Sequence, residues 1–282
     1  MRLSIITDEI SQDLDHALEV CEDLGVRTVE LRAIGGANVV SHDQSSLQRV
    51  KTSLEDRGFD VCAISSPFLK CHLYGNGTPQ GAMHFASPAS REEQWDVLER
   101  ALSVARLLGA PVVRAFSFWR VPDPTSVREE VARALVQAVK RAQAAGLKLA
   151  LENEHECNVG TGAEAGWILG RISSPSFGLV WDPGNEAMIG SKPFPSGYSH
   201  VRGRVAHVHL KDVDDEGNWT KVGTGTIDYR GQLRALAEDG YAGALSLETH
   251  YEAPGGGPEG ATRESVATIR ALCEQASVRL SS

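Results

Sequence analysis

The sequence has no cluster of basic side chains. Its 282 residues include 37 acidic and 28 basic ones, which gives a formal net charge of −9. Surfaces that bind nucleic acid concentrate lysine and arginine, because binding gains from the release of counterions. The charge balance therefore argues against a nucleic-acid partner.

Long apolar runs and cysteine pairs are absent as well. The first residues, MRLSIITDEISQD, reach acidic side chains too soon to form the apolar centre of a signal peptide. No later stretch approaches the roughly 20 apolar residues of a membrane helix. The five cysteines are scattered and include no C-x-x-C pair, which is typical of reduced thiols. We expect a cytoplasmic protein without a membrane partner.

No linker or shift in composition divides the chain. Eight short apolar runs alternate with amphipathic stretches, and in order they are LSII, TVELR, VCAIS, PVVRAFS, LKLALEN, FGLVWD, VAHVHL and GALSLET. Several amphipathic stretches, such as WDVLERALSVARLLG, end with glycine, which suits a left-handed helix cap. Eight strand–helix repeats predict an α/β protein in which residues 1–282 form a single-domain (β/α)8 TIM barrel.

The predicted connections differ in length at the two ends of the barrel. Links from helix to strand are short, whereas links from strand to helix are long, the longest being residues 71–90. Parallel barrels carry their chemistry in the loops that follow the strands. We therefore expect the functional site at the C-terminal ends of the strands, with residues 71–90 covering the substrate.

Ionisable side chains end four successive predicted strands. Glu152 ends the fifth strand, Asp182 the sixth and Glu248 the eighth. The seventh strand carries His207 and His209, which share a face because side chains alternate along a strand. Converging carboxylates repel one another unless a cation neutralises them. The pattern predicts a site for a divalent metal ion, and Mn²⁺, Mg²⁺, Co²⁺ and Zn²⁺ all accept such ligands.

The motifs LENEHE, VWDPGN, HVHLKD and LSLETH, with TDEISQD and RAFSFWR, resemble the sugar phosphate isomerase/epimerase family of xylose isomerase-like TIM barrels. The resemblance extends over essentially the full chain. It implies one divalent metal ion, with Mn²⁺ favoured, held by Glu152, Asp182, His209 and Glu248. It also implies that Glu152 and Glu248 exchange protons with the substrate. His207 remains an alternative to His209 as the ligand.

One position departs from the family pattern. Many relatives have a histidine three residues after the strand-six aspartate, and this chain has Asn185 there. The change argues against a site with several metal ions, as in endonuclease IV-like barrels, which also need a basic groove for DNA. The residues expected to contact substrate at the same rim are His207, Asn185, Lys211, Arg114, Glu30, His155 and Trp181.

Several of these residues also have a structural interpretation. Glu30 and Arg114 would equally well pair with each other inside the barrel mouth. A pairing of Lys211 with Asp182 or Asp212 at a solvated edge is slightly favoured over contact with substrate.

Two further features have alternative interpretations. Gly223 and Gly225 indicate a turn first and a phosphate cradle second. Aromatic residues near the rim would form either a substrate wall or packing, with packing favoured, and they are Phe68, Tyr74, His84, Phe85, Phe116, Phe118 and Trp119.

The predicted chemistry is proton abstraction beside a carbonyl, through an enediolate stabilised by a metal ion. Return of the proton to the other face is epimerisation, and return to the neighbouring carbon is isomerisation. We expect a metal-dependent epimerase or isomerase of a small polyhydroxylated substrate, either a sugar, a sugar phosphate or a keto-sugar. The alternative is a lyase or dehydratase, such as a 3-dehydroshikimate dehydratase-like enzyme or a keto-glycoside eliminase, and a non-catalytic sugar-binding barrel ranks third. A dimer or tetramer is compatible with the sequence.

Overall fold

The computed structural model describes residues 1–75 and 90–281. Eight parallel strands in these ranges form a closed barrel, and each strand pairs with its neighbours in chain order. Leu3 pairs with Leu245 and so joins the last strand to the first. The strands are β1 (Arg2–Ile6), β2 (Thr28–Leu31), β3 (Asp60–Ile64), β4 (Val112–Ala115), β5 (Lys148–Glu152), β6 (Phe177–Trp181), β7 (Val205–Leu210) and β8 (Ala244–Leu247). The predicted (β/α)8 TIM barrel is confirmed.

Helices follow the strands and cover the outside of the barrel. They are α1 (Leu14–Asp23), α2 (Gln44–Arg57), α3 (Gln94–Leu108), α4 (Arg128–Ala144), α5 (Gly162–Arg171), α6 (Pro183–Met188), α7 (Tyr229–Glu238) and α8 (Gly257–Gln275). Gly25, Gly109 and Gly146 have φ angles of 64°, 72° and 74°, so the glycines that end α1, α3 and α4 have the predicted left-handed conformation. Among the described helices, none combines the length and apolarity needed to cross a membrane.

One helix-to-strand link is longer than predicted. Helix α6 ends at Met188, and residues 189–204 then lead to β7 through the irregular segment Pro193–Gly197. Pro193 and Pro195 cannot donate the backbone hydrogen bonds that a continuing helix requires. The short-link expectation is therefore wrong at this one crossover.

Side chains alternate between two apolar layers. Leu149, Leu151 and Leu179 belong to the large core between the barrel and its helices. Ala150 and Val180, the residues next to them, belong to a separate small cluster inside the barrel. The alternation continues to Glu152 and Asp182, which consequently face the barrel interior at the C-terminal rim.

Two short hairpins add to that rim. The first pairs Ala33–Ile34 with Ala37–Asn38 after β2, and the second pairs Asp212–Val213 with Trp219–Thr220 after β7. The longest predicted loop, residues 71–90, is only partly described. Residues 76–89, including His84 and Phe85, lie outside the described residues.

The cysteines lie inside the protein. Cys21, Cys62, Cys71, Cys157 and Cys273 are all buried, and none forms a disulfide. Burial raises the pKa of the Cys62 thiol to about 12. The free thiols agree with the scattered cysteine pattern of the sequence.

Candidate metal centre

Glu152, Asp182, His209 and Glu248 meet at the C-terminal end of the barrel, where one donor atom from each lies within 4.8 Å of the others. His209 Nδ1 lies 3.1 Å from Glu248 Oε2 and 3.2 Å from Glu152 Oε1. The same nitrogen lies 3.8 Å from Asp182 Oδ2. Adjacent ligands of an octahedral ion with bonds of about 2.1 Å are about 3 Å apart. The four side chains could therefore hold one metal ion.

Two oxygens of this group agree with the same conclusion. Glu152 Oε2 and Asp182 Oδ2 are buried and make no hydrogen bond of good geometry, although Arg114 lies 3.1 Å from the first and Lys211 lies 3.0 Å from the second. Buried polar atoms without a well-directed hydrogen bond are rare. Carboxylate oxygens with an imidazole nitrogen are donors that Mn²⁺, Mg²⁺, Co²⁺ and Zn²⁺ all accept. The residues fit a divalent cation, and the donor set does not select one of these metals.

Asp182 is held in place by its own local structure. Its Oδ1 accepts a hydrogen bond from the Asn185 backbone N–H at 2.9 Å and thereby caps α6, which begins at Pro183. Its backbone N–H donates to Asn153 Oδ1 at 2.8 Å. These contacts leave Oδ2 facing His209. Burial raises the pKa of Asp182 to about 6, although the Lys211 ammonium opposes the shift.

Glu30 lies beside both histidines of the H-x-H motif. Its Oε2 accepts a hydrogen bond from His207 Nε2 at 2.7 Å, and its Oε1 accepts one from His209 Nε2 at 3.1 Å. The Ser65 hydroxyl also donates to Oε1. Since Nε2 of His209 is engaged by Glu30, Nδ1 is the nitrogen that faces Glu152 and the other donors. The structure thus brings His209 into the group of four and leaves His207 outside it.

The ionisation of Glu30 and His209 is coupled. Burial raises the pKa of Glu30, but the two imidazoles outweigh it and hold the pKa well below 4.5. Burial lowers the pKa of His209, but Glu30 and Glu152 raise it well above 6.5. Without a metal ion, His209 is therefore a protonated imidazolium among carboxylates.

Arginines hold the two carboxylates that are predicted to exchange protons. Arg114 Nη1 lies 3.1 Å from Glu152 Oε2, so the predicted alternative of a pair between Arg114 and Glu30 is wrong. Glu30 is engaged by the histidines instead. Arg32, from the end of β2, lies 2.6 Å from Glu248 Oε1. This contact was not expected from the sequence, because the two residues are distant in the chain.

Arg32 also binds two carboxylates that follow β1. It lies 2.8 Å from Asp8 and 2.5 Å from Glu9. The guanidinium is consequently surrounded by acidic groups and fixed on several sides.

Lys211 is buried at the metal centre. Its Nζ lies 3.0 Å from Asp182 Oδ2 and 3.1 Å from Glu248 Oε2. The expected pairing with Asp182 is present, but the expected solvated edge is not, since Lys211 is 1% exposed. Burial lowers the pKa of Lys211, but Asp182 and Glu248 outweigh it and raise the pKa.

Asp212 has a different role from the pairing considered for it. Its Oδ2 accepts backbone hydrogen bonds from Gly223 at 2.9 Å and from Gly225 at 3.1 Å. The G-x-G stretch is therefore a turn tied to a carboxylate. The phosphate-cradle alternative is wrong, because these amides are already engaged by Asp212.

Asn185 and His155 lie next to one another beside the metal centre. Asn185 Nδ2 donates to Glu152 Oε1 at 3.3 Å, and Asn185 Oδ1 lies 3.0 Å from His155 Nδ1. The same nitrogen of His155 is 2.7 Å from Glu154 Oε1. Both predicted substrate contacts are thus at the rim, and His155 is partly exposed.

Trp181 does not belong to this rim. Its indole N–H donates to Gln232 Oε1 on α7 at 2.9 Å, and its ring packs near Tyr198. The side chain is fully buried in the core between the barrel and its helices. The predicted substrate contact is contradicted, because Trp181 points to the opposite side of β6 from Asp182.

Packing, the favoured interpretation of the aromatic residues near the rim, applies to the described ones except Tyr74. Tyr74 is 63% exposed and donates to Glu130 on α4. The other described members of the set are buried, namely Phe68, Phe116, Phe118 and Trp119.

Trp219 is an aromatic residue of the rim that the sequence interpretation missed. Its ring lies 5.1 Å from Lys211 Nζ. Ring centroids of His250 and His155 lie 5.3 Å and 6.0 Å from that of Trp219. An aromatic residue in the long connection after β7 was the only available signal.

Two curated relatives match part of the chain. The rhizopine catabolism protein MocC of Rhizobium meliloti is 28% identical in a 142-residue alignment that covers 44% of this chain and 43% of MocC. The inosose dehydratase of Lacticaseibacillus casei is 25% identical in a 142-residue alignment that covers 44% of this chain and 47% of the dehydratase. The match thus spans less than half the length of either relative.

Solved structures resemble the chain over nearly its whole length. The structure of L-ribulose 3-epimerase has a TM-score of 0.72 and 21% identity, covering 98% of this chain and 95% of its own. The IOLI protein with a bound zinc atom has a TM-score of 0.76 and 19% identity, covering 98% of this chain and 99% of its own. At these identities the likeness concerns the fold. A family model described as xylose isomerase-like TIM barrel matches residues 18–272, and the chain belongs to that family.

Proposed function

We propose that the protein is a divalent-metal-dependent epimerase or isomerase of a small polyhydroxylated ketone or aldehyde. The observation that carries the proposal is the approach of both Glu152 and Glu248 to one donor nitrogen. Their oxygens lie 3.2 Å and 3.1 Å from His209 Nδ1, and they come from β5 and β8. A substrate bound at this point would meet two carboxylates that approach it from different strands.

The ion would be held by Glu152, Asp182, His209 and Glu248. When bound, a divalent ion supplies Lewis-acid polarisation of the substrate carbonyl, which makes the neighbouring C–H bond more acidic.

The two glutamates would carry the proton. Burial raises the pKa of Glu152, but Arg114 and His209 outweigh it, and the pKa is lowered. Burial also raises the pKa of Glu248, but Lys211 and His250 hold it well below 4.5. Both are therefore ionised at neutral pH, as a group that accepts a proton must be.

The direction of proton return would decide the product. One glutamate takes the proton from carbon and leaves an enediolate. The other glutamate takes up a proton from solvent and returns it to the opposite face, and the first glutamate then releases its proton to solvent. The carbon is then inverted, which is epimerisation. If the proton returns to the neighbouring carbon instead, an aldose and a ketose interconvert.

Elimination is the second candidate, and Lys211 is the observation that favours it. Its ammonium lies 3.1 Å from Glu248 Oε2, where it could donate a proton to a departing β-hydroxyl group. One of the curated relatives is an inosose dehydratase, an enzyme whose name describes loss of water from a keto-cyclitol. The same abstraction by a glutamate would begin both reactions.

Exchange of substrate hydrogen with solvent tests the proposal. We expect the protein with added Mn²⁺ or Mg²⁺ to replace C–H by C–D in D₂O with ketoses, their phosphates or keto-cyclitols, as followed by NMR. Removal of the ion by a chelator should stop the exchange. Exchange without loss of a group supports the epimerase or isomerase, whereas an unsaturated product supports the dehydratase.

Matched variants identify the acting groups. Glu152→Gln and Glu248→Gln should each reduce exchange by at least about 100-fold, since general acid–base groups contribute that much or more. Glu252→Gln is the control, because Glu252 is exposed and only four residues beyond Glu248. Full activity of both site variants would contradict the proposal.

A further inference from the structure

A cavity of about 240 Å³ lies between the N-terminal halves of α4 and α5, and we call it the α4–α5 cavity. Val131 of α4, Val159 of the loop after β5, and Ile168 of α5 are buried apolar residues of its lining, and half-buried Trp167 lines it as well. None of the four predicted metal ligands contributes to the lining. The cavity is therefore distinct from the candidate metal centre.

The size of the α4–α5 cavity limits what it could hold. Pockets for drug-sized ligands have volumes of roughly 300 to 1,000 Å³, so a ligand of this cavity must be smaller. An apolar cavity of about 150 Å³ is enough for benzene. The remaining space of about 90 Å³ equals roughly three water molecules at about 30 Å³ each. The volume therefore suits one phenyl-sized group with a short polar arm.

The lining also includes a cation that is not neutralised. The guanidinium carbons of Arg128 and Arg171 each lie 4.5 Å from the ring centroid of Trp167. Arg171 forms an ion pair with Glu129 at 3.2 Å. Within residues 1–75 and 90–281, Arg128 has neither a hydrogen bond nor an ion pair, and it is the arginine that lines the cavity.

The remaining charged and amide groups of the lining are already engaged. The carboxylate of Glu164 accepts two hydrogen bonds from Arg120, at 2.7 Å and 3.2 Å. Asn158 Nδ2 donates to backbone carbonyls at 2.8 Å and 3.0 Å, and its Oδ1 accepts the Val121 N–H at 3.0 Å. The charge of Arg128 is consequently the one that a ligand would balance.

We propose that the α4–α5 cavity binds a small monocarboxylate whose apolar body is the size of a phenyl ring, with the carboxylate on Arg128. A guanidinium matches a carboxylate in geometry, and one guanidinium balances one negative charge. A polyol would lose hydrogen bonds with water against the apolar walls, which disfavours sugars here. The proposal is independent of the proposed function, because no group of the candidate metal centre takes part in it.

Binding of phenylacetate to the full chain tests the proposal, with calorimetry in the presence of EDTA as the measurement. We expect a Kd of about 1 mM or lower, as is typical of a ligand with so few atoms. Acetate lacks the apolar body and phenethylamine has the opposite charge, so each should bind at least about tenfold more weakly. Equal affinity for phenethylamine, or no binding of phenylacetate at about 10 mM, would overturn the proposal.

Two variants locate the bound carboxylate. Arg128→Gln should raise the Kd about tenfold, since a hydrogen bond to a charged group is lost. Ala163→Leu adds volume from an exposed position of the lining and should abolish binding. The matched control is Arg133→Gln, which removes the same charge from α4 at an exposed residue outside the lining and should leave the Kd unchanged within about twofold.

The same titrations separate this cavity from the candidate metal centre. Replacing EDTA by Mg²⁺ should leave the Kd of phenylacetate unchanged within about twofold. Binding that requires Mg²⁺, or that is unaffected by both Arg128→Gln and Ala163→Leu, would place the carboxylate elsewhere and overturn the proposal. Hydrogen exchange with keto-sugars tests the proposed function separately, so either proposal can fail without the other.

Discussion

The substitution Glu30→Gln tests whether Glu30 controls the metal ligand through its histidine partner. In the wild type, one carboxylate accepts hydrogen bonds from both His207 and His209. A glutamine side chain has one accepting oxygen, and its NH₂ group can only donate. A single neutral oxygen then replaces the two charged oxygens that accept from the histidines, so Nε2 of His209 is no longer required to carry the proton. The substitution keeps the size of the side chain and removes its charge.

The expected effect on metal binding follows from this geometry. Removal of a group that orients a metal ligand typically weakens metal affinity by about 10- to 100-fold. This range corresponds to about 1.4 to 2.7 kcal/mol. The free energy of unfolding of the metal-free variant should also fall by about 3 kcal/mol. This value is at the lower end of the cost of breaking a buried ion pair, because the glutamine oxygen still accepts a hydrogen bond.

The pH dependence of stability provides a second signature. The pKa of Glu30 is held well below 4.5, so the folded protein keeps this carboxylate ionised at a pH where the unfolded chain binds a proton. Its stabilising effect is complete above about pH 4.5 and is lost as the pH falls through the folded-state pKa. Glu30→Gln should therefore reduce the dependence of the unfolding free energy on pH on the acid side.

Chelator competition with Mn²⁺ measures the affinity, and urea unfolding between pH 3 and pH 7 measures the stability. Ser65→Ala is the control, because it removes a neutral partner of Glu30 and leaves both histidines engaged. The variant Ser65→Ala should lose much less metal affinity than Glu30→Gln. If folded Glu30→Gln binds Mn²⁺ within about twofold of the wild type, Glu30 does not position the ligand.

Three further outcomes follow from the site. His209→Ala should abolish tight metal binding. His207→Ala should still bind the metal, with affinity or activity reduced about 10- to 100-fold. Metal analysis of the two purified variants tests this, and metal bound only in the His209 variant would reverse the assignment. Metal affinity should fall as the pH drops, because the metal must displace the proton of His209, and it should fall more steeply below about pH 6, where Asp182 also binds a proton. Calorimetric titrations at pH 5 and pH 7 check this. Trp181→Phe should leave kcat and KM unchanged within about twofold. It should lower the unfolding free energy by about 1 to 3 kcal/mol, since Gln232 Oε1 loses its donor in the core. A changed KM would indicate that Trp181 contacts the substrate.

The barrel was predictable because its signals are local. Each of the eight strands was visible as an apolar run, and glycine at the helix ends gave the boundaries of α1, α3 and α4. The residues of the candidate centre were found for the same reason, since Glu152 and Asp182 each end an apolar run at the functional rim. That the carboxylates converge follows from the closed parallel barrel, whereas the choice of His209 over His207 rested on the resemblance to the family.

The residues that contact the candidate metal ligands were not predictable, because these contacts depend on the register between strands that are far apart in the sequence. Glu30 is 177 residues from His207, and nothing in the spacing indicates that they meet. Arg114 was assigned to Glu30 as one alternative but contacts Glu152 on the adjacent strand. Trp181 illustrates a different error, because its neighbour Asp182 faces the rim and strand alternation should have placed Trp181 on the other face.

Trp219 could not be identified for a third reason. It belongs to a hairpin inserted after β7, and a two-residue strand leaves no periodic pattern in the sequence. Its position at the rim depends on which strand ends lie beneath the hairpin, which only the assembled barrel defines.

The buried cysteines have a practical consequence for experiments on this protein. All five thiols are shielded, and burial raises the pKa of Cys21 and Cys71 to about 12, so few thiolates are present at neutral pH to react with alkylating reagents. A single cysteine introduced at exposed Asn218, at the hairpin beside Trp219, would be the preferred site for a maleimide dye or spin label. The native chain can thus carry a site-specific probe of the barrel mouth without prior removal of its own cysteines.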